Sequence, residues 1–262
     1  MSRISITPLI LLAMVASCKG VSETGGKWPP KDFVLGLQYT VVKGEVRQVR
    51  KSAKIFADGL VVYREAATTL RSRDGKLELP VYSRMCAYGM KWWSIRDLTR
   101  LLHDAPVLEL ADPAAAPPIG EETHLIRFHV TYMANHVDVV AQNQAVGLLN
   151  RVLRIVNTFL PPGHGITMPN MAGEEMEHHL QDVPVVTDSV AGALKFHEGW
   201  LSEHATNSAL LLDTFSLACA AKNWPLAENC VTVLATSRPA DVAALREILA
   251  DCKAAAAEKP GD

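Results

Sequence analysis

Residues 32–56 read DFVLGLQYTVVKGEVRQVRKSAKIF, and the fold assignment rests on this stretch. In its first half, larger apolar side chains alternate with smaller or more polar neighbours, which is the two-residue period of a half-buried strand. The alternating residues are Phe33, Leu35, Leu37 and Tyr39. A second β-rich run follows the polar turn at residues 43–45. Asp58-Gly59 then lies between apolar runs, which is a strong hairpin signal. We therefore expect an antiparallel meander that continues beyond this hairpin.

Downstream of the meander, the pattern predicts a helix, a second hairpin and another helix. Ser94 can cap the first helix, with Asp97 three residues later as its capping-box partner. A strand pair over residues 123–140 and a helical apolar period over residues 143–160 follow. Together these elements predict an α+β domain over residues 32–161.

The C-terminal part is rich in Ala and Leu and predicts four helices. They lie near residues 190–205, 207–222, 225–237 and 239–257. Residues 162–189 show little periodicity and predict a linker, and residues 258–262 predict a disordered tail. The expected fold class is thus α+β: an antiparallel sheet with two helices, followed by an all-α helical-hairpin domain over residues 190–257.

One stretch of the helical part, residues 211–239, reads LLDTFSLACAAKNWPLAENCVTVLATSRP and resembles a tetratricopeptide repeat. The motif's large, small, small, large and proline positions fall near Leu212, Ser216, Ala227, Val231 and Pro239. Cys219 stands where the family usually has a large aromatic residue, and Leu234 where it usually has Ala. The resemblance implies a protein-interaction scaffold without catalytic residues, whose repeat buries its face against neighbouring helices. A plain helical hairpin is the alternative.

The element order of the first domain, β-β-α-β-β-α with the Asp58-Gly59 hairpin, resembles that of small bacterial emfourin-type domains. Some members of that family inhibit metalloproteases, so the resemblance implies an inhibitor or regulator of an extracytoplasmic protease. It rests on order and pattern and carries no inhibitory residue over to this sequence.

The N-terminal residues 1–17 predict a secretory signal, because one positive charge precedes an apolar run too short to span a bilayer. Its end, Val15-Ala16-Ser17-Cys18, resembles the bacterial lipobox. The resemblance implies that Cys18 is the first mature residue and carries covalent lipid, with diacylglycerol on its sulfur. Residues 18–31 are polar and rich in Gly, which predicts a lipidated flexible tether. An ordinary cleaved signal and an uncleaved anchor are the alternatives.

Export sets the expected location and partners. A lipid at Cys18 makes the membrane of a bacterial cell envelope the first partner, and Lys19 after it favours the outer over the inner membrane. Another envelope protein is the expected second partner. Nucleic acid is excluded, because 26 Lys and Arg balance 28 Asp and Glu for a net charge of −2, without the clustered positive charge that its recognition needs.

The sequence contains none of the compact catalytic signatures, such as a nucleophile elbow, a phosphate-binding loop or a zinc-protease helix. We therefore expect a protein that is not an enzyme and has no cofactor beyond the covalent lipid. Catalytic residues scattered along the chain, as in a hydrolase triad, stay open. The leading hypothesis is a binding or scaffold module that acts through its C-terminal helices.

The predicted linker carries side chains that can bind metals. They are His164, Met168, Met171, Met176, His178 and His179. Thioether and imidazole ligands suit copper, and imidazole with carboxylate suits zinc, so envelope metal handling is an alternative function. A solvated acidic loop is the other interpretation. Separately, His129 and His136 flank the turn at Asn135 and can meet across the hairpin, either as a site or as a surface pair.

Trp92 and Trp93 can form an exposed aromatic anchor for a partner. Consecutive residues of an extended segment point in opposite directions, so we expect at least one of the two to be packed in the core.

Four cysteines remain besides Cys18. They are Cys86, Cys219, Cys230 and Cys252. An exported protein can form disulfides, and Cys219 and Cys230 lie on consecutive predicted helices, which makes them the best candidate pair. Small thiols buried between helices are the alternative.

Overall fold

The computed structural model describes residues 30–171, 178–180, 186–203 and 205–258. The predicted signal, Cys18, most of the predicted tether and tail, and Met176 lie outside the described residues. Within the described ranges, one antiparallel sheet and a set of mostly C-terminal helices form an α+β fold, which confirms the predicted fold class.

Six strands form the sheet. Their bounds are β1 Val34–Lys43, β2 Val46–Phe56, β3 Leu60–Arg71, β4 Glu78–Gly89, β5 Glu122–Tyr132 and β6 Asn135–Gln142. Their order across the sheet is β4-β3-β2-β1-β5-β6, and every neighbouring pair is antiparallel. The meander β1–β4 therefore forms one side of the sheet. The hairpin β5–β6 joins it through β5, which pairs with the edge of β1 that β2 leaves free.

Six α-helices complete the described part of the chain. Their bounds are α1 Trp92–Asp104, α2 Gly147–Asn157, α3 Val190–Glu203, α4 Ser208–Ala220, α5 Trp224–Ser237 and α6 Val242–Glu258. Among the described residues, none of these helices combines the length and the apolar character needed to cross a membrane.

The turn between β2 and β3 shows how local chemistry sets the register. Asp58 accepts the backbone N–H of Leu60 through its Oδ1 at 3.0 Å. Gly59 has a φ of +88°, and a Cβ added to it would lie 2.6 Å from the carbonyl oxygen of Met90. Only glycine fits such a conformation and such an approach without strain.

One face of the sheet, here called the inner face, packs against α1 and α2 over the larger core. The alternation of β1 produces this packing, since Leu35 and Leu37 both point into the core and are buried. The chain after α2 continues the same core with Ile166, Met168 and Met171. Part of the predicted linker is therefore core.

The opposite, outer face is covered by α3 and α4 at β4, and α5 and α6 complete a second core that includes Tyr82 and Met85 from the sheet and Phe215 from α4. At the other side of the sheet, outward-facing residues such as Lys54 and Arg127 are exposed to solvent. The outer face is thus half covered and half open.

The helical part shares its core with the sheet. The Ser216 hydroxyl of α4 donates to the carbonyl of Pro80 in β4 at 2.7 Å, and the Thr187 N–H donates to the Met85 carbonyl at 2.8 Å just before α3. Four residues at the repeat-like positions are buried, namely Leu212, Ser216, Ala227 and Val231. The face of α4 that a repeat would offer to a neighbour lies against β4.

The predicted start of α1 is wrong. The helix begins at Trp92, Lys91 occupies the N-cap without a side-chain cap bond, and the Ser94 N–H donates to the Lys91 carbonyl at 2.9 Å. Since the Lys91 carbonyl already accepts the first bonds of the helix, Ser94 lies inside the first turn and cannot cap it.

Candidate functional site

The N-terminal half of α1 presents a large aromatic surface to solvent. The helix buries one face against the sheet, with Ile95, Leu98 and Leu102 in the core. Trp92 points away from that core and is 61% exposed. Its ring contacts that of Trp93 edge to face, with 6.0 Å between centroids.

A cleft of about 540 Å³ lies beside this aromatic pair. Residues from Trp93 to Asp104 on α1 form one wall, and Phe159 and His179 form the other. The His179 backbone N–H donates to the Thr158 carbonyl at 2.8 Å, and its ring lies 5.2 Å from that of Phe159. The volume falls in the range of about 300–1,000 Å³ that is usual for ligand-binding clefts.

Charged groups surround the aromatic surface. The Arg96 guanidinium lies 4.9 Å from the centre of the Trp92 ring, and the Lys91 ammonium lies 5.4 Å from that of Trp93. Asp97 and Asp104 line the cleft with about half of each side chain exposed. The arrangement offers apolar contact area at its centre and ionic groups at its edge, as protein-binding surfaces do.

The sequence prediction about the two tryptophans was right in one part and wrong in another. Trp92 is exposed as a partner-binding residue has to be, but neither Trp92 nor Trp93 is buried. The expected burial assumed an extended segment, whereas both residues lie in the first turn of α1.

The predicted metal-binding residues of the linker occupy separate environments. Met168 and Met171 are each 1% exposed in the core of the inner face. His164 binds Glu65 through Nδ1 at 2.8 Å, whereas His179 lies in the cleft beside α1. His178 is exposed, and Met176 lies outside the described residues. A thioether is also an apolar group, so its burial explains why these methionines point inward.

A polar cluster around Glu65 on β3 escaped the sequence analysis. Its carboxylate accepts the Tyr63 hydroxyl at 2.6 Å and His164 at 2.8 Å, and Lys51 lies 3.9 Å away. Burial raises the pKa of Glu65, but the bonds from His164 and Tyr63 outweigh it, so its pKa is lowered overall. Lys51 also donates to the Gly165 carbonyl at 3.0 Å. The cluster therefore holds the segment after α2 against the sheet.

A second buried pair joins the sheet to the helices. Arg64 on β3 donates to Asp213 on α4 at 2.5 Å, and each side chain is 18% exposed. The imidazole of His197 on α3 is fully buried, and both of its nitrogens lack a hydrogen-bond partner among the described residues. Burial, with a smaller contribution from Arg64, lowers the pKa of His197 to about 3.

The structure holds the four remaining cysteines as free thiols. The candidate pair Cys219 and Cys230 is therefore not joined by a disulfide, and the neighbouring Cys252 thiol of α6, together with burial, raises the pKa of Cys219. Burial raises the pKa of Cys86 to about 12 and that of Cys230 to about 11. Thiols with such pKa values stay protonated and unreactive near neutral pH.

His129 and His136 meet across the second hairpin as predicted. Their ring centroids are 4.5 Å apart, and they lie on the open half of the outer face, away from the cleft.

No family model matches this chain, and no curated protein matches it either. The functional interpretation therefore depends on the geometry of these surfaces.

Proposed function

We propose that this chain is an exported, lipid-anchored protein of the bacterial cell envelope that binds another envelope protein without catalysing a reaction. The cleft lined by Trp93, together with the adjoining Trp92, is the proposed binding site. The observation that carries the proposal is the edge-to-face contact between Trp92, which is 61% exposed, and Trp93, which lines a cleft of about 540 Å³.

Tryptophan and arginine dominate binding energy at protein interfaces. Tryptophan buries about 150–250 Å², so covering its exposed 61% removes about 90–150 Å² from water, worth about 2–4 kcal/mol at 25 cal/mol per Å². Arg96, stacked on the same ring, adds a group that can bind a carboxylate or a backbone carbonyl.

The proposed partner is a protein segment with an apolar side chain next to a basic one. The apolar side chain would enter the cleft between Trp93 and Phe159. The basic group would lie against Asp97 and Asp104, which line the same cleft, are half exposed, and would exchange their present pairing with Arg96 and Arg100 for the partner's charge. Oppositely charged groups at the rim mainly favour the correct partner and its orientation.

This proposal moves the binding surface away from the C-terminal helices. The α4 face that would line a repeat groove packs on β4 and donates a hydrogen bond from Ser216 to Pro80. A surface used inside the protein is not free for a partner. The covalent lipid at Cys18 remains the proposed anchor, as the lipobox resemblance of residues 15–18 implies.

Site-specific crosslinking in the native envelope tests the binding site. A photoreactive phenylalanine replaces Leu101, which lines the cleft and is 37% exposed, in the full lipidated chain. The matched control carries it at Val140, which is 42% exposed on the outer face. We expect an adduct with one envelope protein at Leu101 that disappears with Trp92→Ala and is absent at Val140. Equal adducts at both positions, or an adduct that survives Trp92→Ala, would contradict the proposal.

Labelling with radioactive palmitate tests the anchor separately. The wild type should incorporate label and Cys18→Ala should not. Label in the Cys18→Ala variant would contradict the lipobox assignment and leave the cleft proposal standing.

A further inference from the structure

Two histidines and an aspartate come together on the open half of the outer face, at the β5–β6 hairpin. In the strand register His129 lies opposite Asp138, and His136 lies opposite Thr131, two residues further along β5. Residues two apart on a strand share a face, so all three side chains project to the same side. The chain turns between the strands through Met133 and Ala134, both at positive φ, as tight hairpins do.

The donor atoms of these three residues are close enough to bind one cation. One nitrogen from each imidazole and one oxygen of Asp138 all lie within 4.8 Å of one another. Tetrahedral zinc with bonds of about 2.0–2.2 Å places neighbouring ligand atoms about 3.3–3.6 Å apart. Movement of each donor atom by at most about 1 Å closes that difference, and the exposed His136 side chain can supply part of it by rotation.

Asp138 is already oriented by a neighbour on β5. Arg127 donates to its Oδ1 through Nε at 2.9 Å and contacts Oδ2 through Nη2. A carboxylate has about four lone-pair sites, so Asp138 can accept from Arg127 and bind a cation at once. Metal-binding carboxylates are commonly held by such an outer hydrogen bond.

The charges that face the site come from three strands. Lys54 on β2 and Arg127 on β5 are positive, and Asp138 on β6 is negative.

We propose that His129, His136 and Asp138 bind one divalent transition-metal ion, of which zinc is the representative. Three protein ligands leave a fourth tetrahedral position for water or a further ligand. The residue of β1 opposite His129 is Gly36, which has no side chain to cover the imidazole. The site shares no residue with the cleft beside α1 or with the predicted metal set of the linker.

Calorimetric titration with zinc chloride tests the site in the full lipidated chain, kept in detergent micelles, purified through a histidine-free tag and stripped with chelator. We expect one zinc ion per chain. His136→Gln and Asp138→Asn should weaken binding by more than about tenfold, since even the loss of an outer-shell partner costs 10- to 100-fold. The matched control is His103→Gln, an exposed histidine that belongs to neither metal-binding set, which should bind zinc like the wild type.

Three outcomes overturn the proposal: no zinc binding by the wild type, unchanged affinity in His136→Gln, or an equal loss in His103→Gln. Thermal melts of the metal-free variants show whether any loss comes from unfolding. Cobalt(II) provides a second measurement, because its visible absorption reports tetrahedral coordination, and the wild-type spectrum should be lost in Asp138→Asn.

Discussion

The buried pair between Arg64 and Asp213 gives the sharpest prediction about how the helices are held on the sheet. Replacing Asp213 by Leu leaves the Arg64 guanidinium without its carboxylate in a site where the side chain is 18% exposed. Removing one member of a buried ion pair costs about 3–5 kcal/mol. Because some solvent reaches the pair, we expect the lower end, about 3 kcal/mol.

The double variant Arg64→Met with Asp213→Leu should recover most of this loss. Burial raises the pKa of the Asp213 carboxyl, and the Arg64 guanidinium beside it acts in the opposite direction. In buried ion pairs the cost of desolvation commonly offsets the attraction, so apolar side chains of similar volume should replace this pair at little net cost. Loss of the contact between Arg64 and the Tyr82 ring, at 5.1 Å, should leave the double variant about 1 kcal/mol below the wild type.

Urea unfolding followed by circular dichroism measures these differences. With an m-value of about 3 kcal/mol per molar, a loss of 3 kcal/mol lowers the midpoint by about 1 M. Asp251→Leu is a matched control, since Asp251 pairs with Arg73 at the surface and an exposed pair contributes about 0–1 kcal/mol. A double variant as unstable as Asp213→Leu alone, or an Asp251→Leu variant with the same loss, would refute the reasoning.

Three further changes test other parts of the fold. Burial lowers the pKa of His197 from 6.5 to about 3, so between these two pH values the unfolded chain binds more protons than the folded one. The free energy of unfolding should therefore fall as the pH drops from 6.5 to 3. His197→Leu should make the free energy of unfolding depend less on pH in this range. Met168→Ala should cost about 2–5 kcal/mol in urea unfolding and Met168→Leu less than about 1.5, whereas a solvated methionine would tolerate both. Gly59→Ala should lower the melting temperature by several degrees, because the added methyl group would meet the Met90 carbonyl. Gly75→Ala, at a similar positive φ but in open space, should lower the melting temperature less. Equal decreases in the two variants would contradict the steric argument.

The sheet could be predicted from the sequence because its signals are local. Alternation along β1 and the Asp58-Gly59 turn determine strand, face and register within a few residues of one another. Even the covering of the outer face had a local signal: Val61, Val62 and Tyr63 are consecutive apolar residues, and all three are buried. A strand with such a run is buried on both faces, so the run indicated a second layer over β3.

The buried polar contacts could not be predicted in the same way. Glu65 meets His164 across 99 residues, and Arg64 meets Asp213 across 149, so their pairing is a product of the tertiary fold. The predicted linker shows a different difficulty. The thioether of Met168 can bind a metal, but it is also apolar enough to be buried in the core. The sequence cannot say which property is used until the core is known.

The place where the chain enters the sheet connects the proposed anchor with both proposed sites. Asp32, just before β1, accepts the Ala134 N–H in the β5–β6 turn at 2.5 Å, next to His136. The same end of the sheet holds the β4 terminus at Gly89, opposite Leu60, and α1 begins at Trp92 shortly after it. The predicted tether of residues 18–31 therefore joins the fold at the end where both surfaces lie.

That geometry limits how far a partner can be from the membrane. A Gly-rich chain of 14 residues spans about 20 Å on average and about 50 Å when fully extended. A partner bound at Trp92 should therefore lie in or near the same membrane. Insertion of 14 Gly and Ser residues after Lys19 raises the average span only to about 30 Å, so crosslinking from position 101 should persist, whereas release of the chain by Cys18→Ala should reduce it strongly. Unchanged crosslinking by the Cys18→Ala chain would mean that the partner is recognised without the membrane bringing it close.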